Sequence, residues 1–236
     1  MKNKEITAVI VARKGSVRIP SKSLLKLDGK TLIERKIEQL KNCKCIDRIV
    51  FGSDSDKMIK LAKNIGAETV RRPDYYCDEQ KASANEMIKN MMELIKTDVI
   101  VWAHCTNPFI TSETYDKAVI TFFDNLNNYD SLLSVVELKE HLWKDGKPFN
   151  YNPYAKRHVP AKELPPMYMQ DGGIFIQFYE NMKNNNYFFG EKPFLFKLPK
   201  EEFLDINEYN DFLLAKAIIK ERKKERKKES YKSRSL

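Results

Sequence analysis

The sequence of 236 residues predicts an α/β fold built on a mostly parallel sheet with crossover helices. Three observations predict it. β-branched runs such as Ala8-Val9-Ile10-Val11 read as strands buried on both faces. Amphipathic helix patterns with capping residues separate these runs. Polar, often cationic stretches follow the carboxyl ends of the strands, where open α/β sheets bind ligands.

The elements follow in order. The first strand covers residues 7–11, and the pattern Leu32-Ile33-Glu34-Arg35-Lys36-Ile37-Glu38-Gln39-Leu40 forms the first helix. A second strand lies at 48–52, and residues 54–56 supply N-cap candidates for a helix that runs through Asn64 and stops at Gly66. A short third strand at 68–70 precedes a strong helix pattern at 82–96 and a fourth strand at 98–103. Ser112 caps the next helix, through Asn125, and the fifth strand is 131–136. Between 137 and 170 the character changes. Five prolines (148, 153, 160, 165 and 166) and scattered aromatics make this an irregular or hairpin-like insertion. The sheet resumes at 173–176 and 194–196, and a last helix starts near Asn207 and enters the C-terminal tail.

Bulk properties narrow the function. No apolar run approaches the ~20 residues needed to span a bilayer, and the first residues enter a strand with no signal-peptide pattern, so a cytoplasmic location is expected. The four cysteines and three histidines show no metal-finger spacing, and reduced thiols are expected. The net charge of +9 invites a nucleic-acid reading, yet nine Lys/Arg against three Glu in residues 220–236 place +6 of it in the tail. A body near +3 is a poor nucleic-acid surface. Glu221, Glu225 and Glu229, spaced by four, suit a solvated helix extension, with docking on RNA, a membrane or a partner as the alternative.

The first strand opens into Ala12-Arg13-Lys14-Gly15-Ser16-Val17-Arg18-Ile19-Pro20-Ser21-Lys22, a loop with one glycine and four cations. Such a loop suits a polyanion, most simply a nucleoside triphosphate; a merely solvated basic loop is the plainer alternative. It resembles the A-R-x-G-S-K-x-x-P-x-K-N signature of the acylneuraminate cytidylyltransferases. Five further landmarks follow in that family's order. Gly52-Ser53-Asp54-Ser55-Asp56 resembles its S-T-D strand end, and Arg72-Pro73 with Ser83 resembles R-P-x(9)-S. Cys105-Thr106-Asn107-Pro108-Phe109 resembles Q-P-T-S-P-L, and Asp171-Gly172-Gly173-Ile174-Phe175 resembles N-G-A-I-Y. Asp205-Ile206-Asn207-Glu208-Tyr209-Asn210-Asp211-Phe212 resembles the closing D-I-D-x-x-x-D-F, so the likeness spans roughly residues 6–215.

The resemblance implies a single Rossmann-like nucleotidyltransferase domain over 1–219, helices on both sheet faces, an inserted dimerisation arm at 137–170 and a basic tail at 220–236. It implies transfer of CMP from CTP to a 2-keto-3-deoxy sugar acid of the sialic, legionaminic or pseudaminic type or a similar acid, with release of pyrophosphate. Arg13 and Lys22 would be catalytic, gripping the triphosphate. Gly15, Ser16, Arg18, Ser23, Arg72, Ser83 and Thr106 would complete the nucleotide site. His104 and Asp171 would face the acceptor, with Arg157, Lys156 and Lys162 of the arm available to its carboxylate. Asp205 and Asn207 would hold Mg²⁺, which takes hard oxygen ligands alongside phosphates; a helix N-cap is the alternative role for Asp205. The implied partners are CTP, the sugar acid and a second copy of the chain, with no specific nucleic acid and no membrane span.

Several positions depart from the family pattern. Val17 replaces the lysine of G-S-K, with Arg18 beside it, and Ser23 replaces the asparagine after the second lysine. Asn207 replaces the second aspartate of D-I-D, His104 and Ile110 replace a glutamine and an arginine, and Asp171 replaces an asparagine. The changes at His104 and Asp171 point to an acceptor preference away from N-acetylneuraminate. Two alternatives accompany this reading: the same fold activating another acidic or phosphorylated acceptor, and a nucleotide-binding relative without catalysis.

Overall fold

The computed structural model describes residues 4–233. Strand β1 (Ile6–Ala12) is followed by a tiny hairpin, β2 (Lys26–Leu27) and β3 (Lys30–Thr31), and by helix α1 (Leu32–Lys41). The hairpin turns on Asp28-Gly29, both at positive φ (58° and 81°), the Asp-Gly geometry that a two-residue turn requires. Strand β4 (Arg48–Ser53), helix α2 (Asp56–Asn64), strand β5 (Glu68–Arg71), and helices α3 (Asp74–Cys77) and α4 (Ala84–Leu94) come next. Then follow β6 (Val99–Ala103), α5 (Ser112–Asp124) and β7 (Ser131–Leu138). The insertion holds a second small hairpin, β8 (Trp143–Lys144) and β9 (Lys147–Pro148). The chain ends with β10 (Met167–Phe178), α6 (Tyr179–Asn185), β11 (Pro193–Lys197) and α7 (Tyr209–Ser233).

The central sheet has seven strands in the order β11-β7-β10-β6-β1-β4-β5. β1 pairs in parallel with β4 and β6, β4 with β5, and β7 with β11; β10 runs antiparallel to both its neighbours. The sheet is therefore mostly parallel, as the alternation predicted. Alternate side chains of β1 feed two cores. Ala8 and Ile10 join Leu32, Ile37, Phe122 and Phe212 on one face, whereas Val9 joins Ile88, Met91, Tyr179 and Met182 on the other. Helices α1, α2, α5 and α7 thus cover one face, and α4 and α6 the other.

Local chemistry fixes the helix starts. Thr31 and Glu34 form a capping box at α1, and Ser83 and Glu86 repeat it at α4. Ser55 caps α2, between the two aspartates, and Thr111 rather than Ser112 caps α5. The strand expected at 173–176 begins earlier, at Met167, because a register shift between Gln170 and Phe175 carries pairing with β7 across the break. Gly172, at φ 77°, sits inside that break. The basic tail continues α7 without interruption: Arg222 lies over the Phe109 ring at 4.6 Å, and Lys223 pairs with Asp28. Its first turn is thus docked on the body, not merely solvated, while residues 234–236 lie outside the described residues. Among the described residues no helix is long and apolar enough to cross a membrane. All four cysteines are free.

Candidate active site

The carboxyl ends of β1, β5 and β6 open onto a cavity of about 420 Å³. Arg13, Lys22, Arg72, Ser83, His104, Thr106, Asp205 and Asn207 all line it. An adjoining recess of about 150 Å³ adds Ser16 and Ser23. Stretches spread over nearly 200 residues thus meet at one place. Gly15 and Arg18 lie in the same loop but outside the lining, with open space around the Gly15 Cα.

One wall is cationic. Arg13 donates to the Cys77 carbonyl (3.4 Å) and pairs with Glu79, which also lines the cavity. Lys22 Nζ donates to the carbonyls of Ile206 (2.9 Å) and Asn207 (3.3 Å). Burial lowers its pKa, and the nearby Arg18 charge pushes the same way. The loop itself is tied down by Asp54, which accepts from the Lys14 amide at 2.9 Å. Arg72 is 2% exposed; its Nε donates to Asn90 Oδ1 (3.2 Å) and Nη2 to the Tyr76 carbonyl (3.0 Å).

The opposite wall is organised by residues 104–107. Trp102 Nε1 donates to His104 Nε2 at 3.1 Å, so the imidazole proton resides on Nδ1. Burial lowers the His104 pKa and keeps the ring neutral. The ring edges toward Phe175 and Phe188. Cys105 Sγ donates to Ser23 Oγ (3.4 Å), and the Thr106 carbonyl accepts from Ile206 N (2.9 Å). The Asn107 carbonyl accepts from Lys36 Nζ at 2.9 Å, while its Nδ2 donates to the Asp171 carbonyl at 3.3 Å.

Behind this wall lies a buried polar group that the sequence reading passed over. Lys36 is fully buried, with its second contact to Tyr115 Oη at 2.8 Å, and burial pulls its pKa down to about 7. Asp171 belongs to this layer. It is buried, accepts from Ser134 Oγ, leaves Oδ2 without a partner, and has its pKa raised by burial. Asp171 therefore does not line the cavity. Ile110 is also wholly buried, and its Cδ1 occupies the space a Cβ at residue 173 would need, so Gly173 makes room for it. Arg157 sits on the insertion, 74% exposed, paired with Glu163 and outside the cavity lining. The signal for Lys36 was available: it stands four residues from both Leu32 and Leu40 on the apolar stripe of α1.

Asp205 meets the requirements of a single carboxylate ligand. Its Oδ1 is buried in the cavity wall with no hydrogen-bond partner, and its Oδ2 accepts from Asn207 Nδ2 at 2.6 Å. It is not a helix cap: Asp211 reaches back to the amides of Asn207 (2.9 Å) and Glu208 (2.7 Å) ahead of α7. Among the described residues no three His, Cys, Asp or Glu side chains cluster as a self-sufficient metal site. That pattern fits Mg²⁺, which is typically held by one or two carboxylates together with substrate phosphates.

A mostly parallel α/β sheet with a cationic cavity at its strand ends is the architecture of a binder of polyanions such as nucleotides. The comparisons make this specific. A family model described as Cytidylyltransferase matches residues 7–205. The chain belongs to that family, and is a nucleotidyltransferase. It is 28% identical over 236 residues to an N-acylneuraminate cytidylyltransferase of Escherichia coli O18:K1:H7, covering 95% of this chain but 54% of that protein. This chain thus spans about half the length of that relative. It is 24% identical over 225 residues to a pseudaminic acid cytidylyltransferase of Campylobacter jejuni serotype O:2, covering 90% and 95% of the two chains. The fold is shared with a CMP:2-keto-3-deoxy-manno-octonic acid synthetase solved with CTP (TM-score 0.66, 12% identity, 92% and 99% coverage). It is also shared with a cytidylyltransferase of Leptospira borgpetersenii (TM-score 0.57, 21% identity, 91% and 86% coverage).

Proposed function

We propose that this enzyme transfers CMP from CTP to a 2-keto-3-deoxy sugar acid of the nonulosonate type and releases pyrophosphate. The observation that carries the reading is the meeting of Arg13, Lys22, Arg72 and the unpartnered Oδ1 of Asp205 around one cavity. Arg13 and Lys22 bind the triphosphate and neutralise the charge that grows on pyrophosphate as its bond to the α-phosphorus breaks. Asp205 would hold Mg²⁺, which would supply further charge neutralisation when bound. The anomeric hydroxyl of the acceptor forms the new bond to the α-phosphorus, and most of the rate comes from alignment. His104 contributes a neutral, oriented ring to the cavity wall, its Nε2 filled by Trp102 Nε1–H and its Nδ1 turned to the Gly172 backbone. His104 and the buried Ile110, in place of a glutamine and an arginine, favour an acceptor other than N-acetylneuraminate. The insertion, with Trp143, Phe149 and Tyr154 exposed, supports pairing with a second copy of the chain, which light scattering on the purified protein would read directly.

The purified chain, given CTP and Mg²⁺, is expected to release pyrophosphate with at least one of N-acetylneuraminate, legionaminate, pseudaminate or 3-deoxy-manno-octulosonate. Release only with phosphorylated or other acidic acceptors in the same panel would shift the acceptor class. No release with any acceptor would overturn the proposal.

A further inference from the structure

Arg18, next to the departure at Val17 in the phosphate loop, touches Asn207, the departure in the loop of Asp205. Arg18 Nη2 donates to Asn207 Oδ1 at 2.9 Å, and Asn207 Nδ2 donates to Asp205 Oδ2 at 2.6 Å. This orientation of the amide is forced. Turned over, it would set its NH₂ against a guanidinium that only donates, and its oxygen against a carboxylate that only accepts. Both faces of Asn207 are thus committed within the protein, and Asp205, which lines the cavity, keeps a buried Oδ1 without a hydrogen-bond partner. A second tie runs alongside, from Lys22 Nζ to the carbonyls of Ile206 and Asn207.

We propose that Asn207 is a positioning residue and not a metal ligand: it latches the phosphate loop, through Arg18, to the one carboxylate that takes the cation. The inference rests on the proposed nucleotide reading and deepens it. With one carboxylate where the family pattern has two, the cation must draw its remaining ligands from CTP phosphates and water. The cation therefore binds together with the nucleotide, not ahead of it.

Manganese tests this as a paramagnetic stand-in, with binding to the full chain followed by water-proton relaxation in the presence and absence of CTP and with no acceptor. The parent chain is expected to bind Mn²⁺ with CTP and only weakly without it. Arg18→Met and Asn207→Ala are each expected to weaken Mn²⁺ in the CTP complex by about tenfold, the usual cost of losing a residue that orients a ligand. Arg18→Met/Asn207→Ala is expected to be no worse than either single variant, because both break one chain. Additive losses overturn the proposal. So does a loss in Asn207→Ala with none in Arg18→Met, which would make Asn207 a ligand in its own right. Arg18 is exposed and Asn207 lies in a surface loop, so neither change touches the core. Failure of the parent chain to bind CTP is a separate result, seen without any variant. It would overturn the nucleotide reading and this one with it.

Discussion

The two walls of the cavity are held by opposite means. On the cationic wall, Arg13, Arg18 and Lys22 rest on backbone carbonyls and on the side chains of Glu79 and Asn207. Contacts of this kind are individually weak in water and can be exchanged for phosphate oxygens. The opposite wall is backed by Lys36, Asn107, Tyr115, Ser134 and Asp171, which are buried behind the lining and held within the fold. Nothing there can be traded without exposing a polar group to an apolar interior. The difference separates two tasks: one wall carries charge to be handed to a substrate, and the other holds a shape fixed before any substrate arrives.

The sharpest way to break this comparison is Lys22→Ala. If the cationic wall acts on charge developing in the transition state, pyrophosphate release is expected to fall by about a hundredfold or more. The urea midpoint should move little, because Lys22 is half-buried and its partners are backbone carbonyls of a loop. A large loss of stability with little loss of turnover would put Lys22 on the structural side of the divide.

The cationic wall was legible because its chemistry is local. A strand followed by Arg13, Gly15 and Lys22 is contiguous, Arg72 and Thr106 follow the ends of β5 and β6, Ser83 caps α4, and Asp205 stands in the loop before α7. The buried wall was not legible, because it depends on which side chains the packing brings together. Lys36 reads as a surface charge beside Arg35 until the apolar stripe of α1 is traced through it. Asp171 stands in a landmark yet is buried against Ser134, within the register break of β10. Asn207 occupies a metal-ligand position in the sequence pattern, and its commitment to Arg18 lies 189 residues away along the chain. The mostly parallel sheet followed from alternation, whereas the strand order and the reversed β10 could not, because neighbours in the sheet are set by long-range pairing.

The buried wall makes a prediction with a definite sign. Burial lowers the Lys36 pKa from 10.5 to about 7, so the folded chain releases this proton at lower pH than the unfolded chain. Between about pH 7 and 10.5 the unfolded state binds the extra proton, and stability therefore rises with pH across that window. The slope is at most about 1.4 kcal/mol per pH unit for one proton. Below pH 7 both states hold the proton and the group adds no slope. Urea unfolding at pH 7, 8 and 9 should show the rise in the parent chain, and Lys36→Met should remove Lys36's share of it. An unchanged slope in the variant would mean that Lys36 is not the group that titrates.

The smallest expected effect probes the exchangeability of the cationic wall. Glu79 pairs with Arg13 across the cavity mouth, 57% exposed against 25% for the arginine, so a polyphosphate must compete with a carboxylate for the guanidinium. Glu79→Gln keeps the side-chain size, removes the competing charge and leaves Arg13 its contact with the Cys77 carbonyl. The KM for CTP is expected to fall by about two- to fivefold, the range an exposed ion pair supports, with kcat nearly unchanged. The gain should shrink as salt is raised, because screening already weakens the pair in the parent chain. A rise in KM would reverse the sign of the contact: Glu79 would then be orienting Arg13 for the phosphates, and this wall would be as preorganised as the buried one.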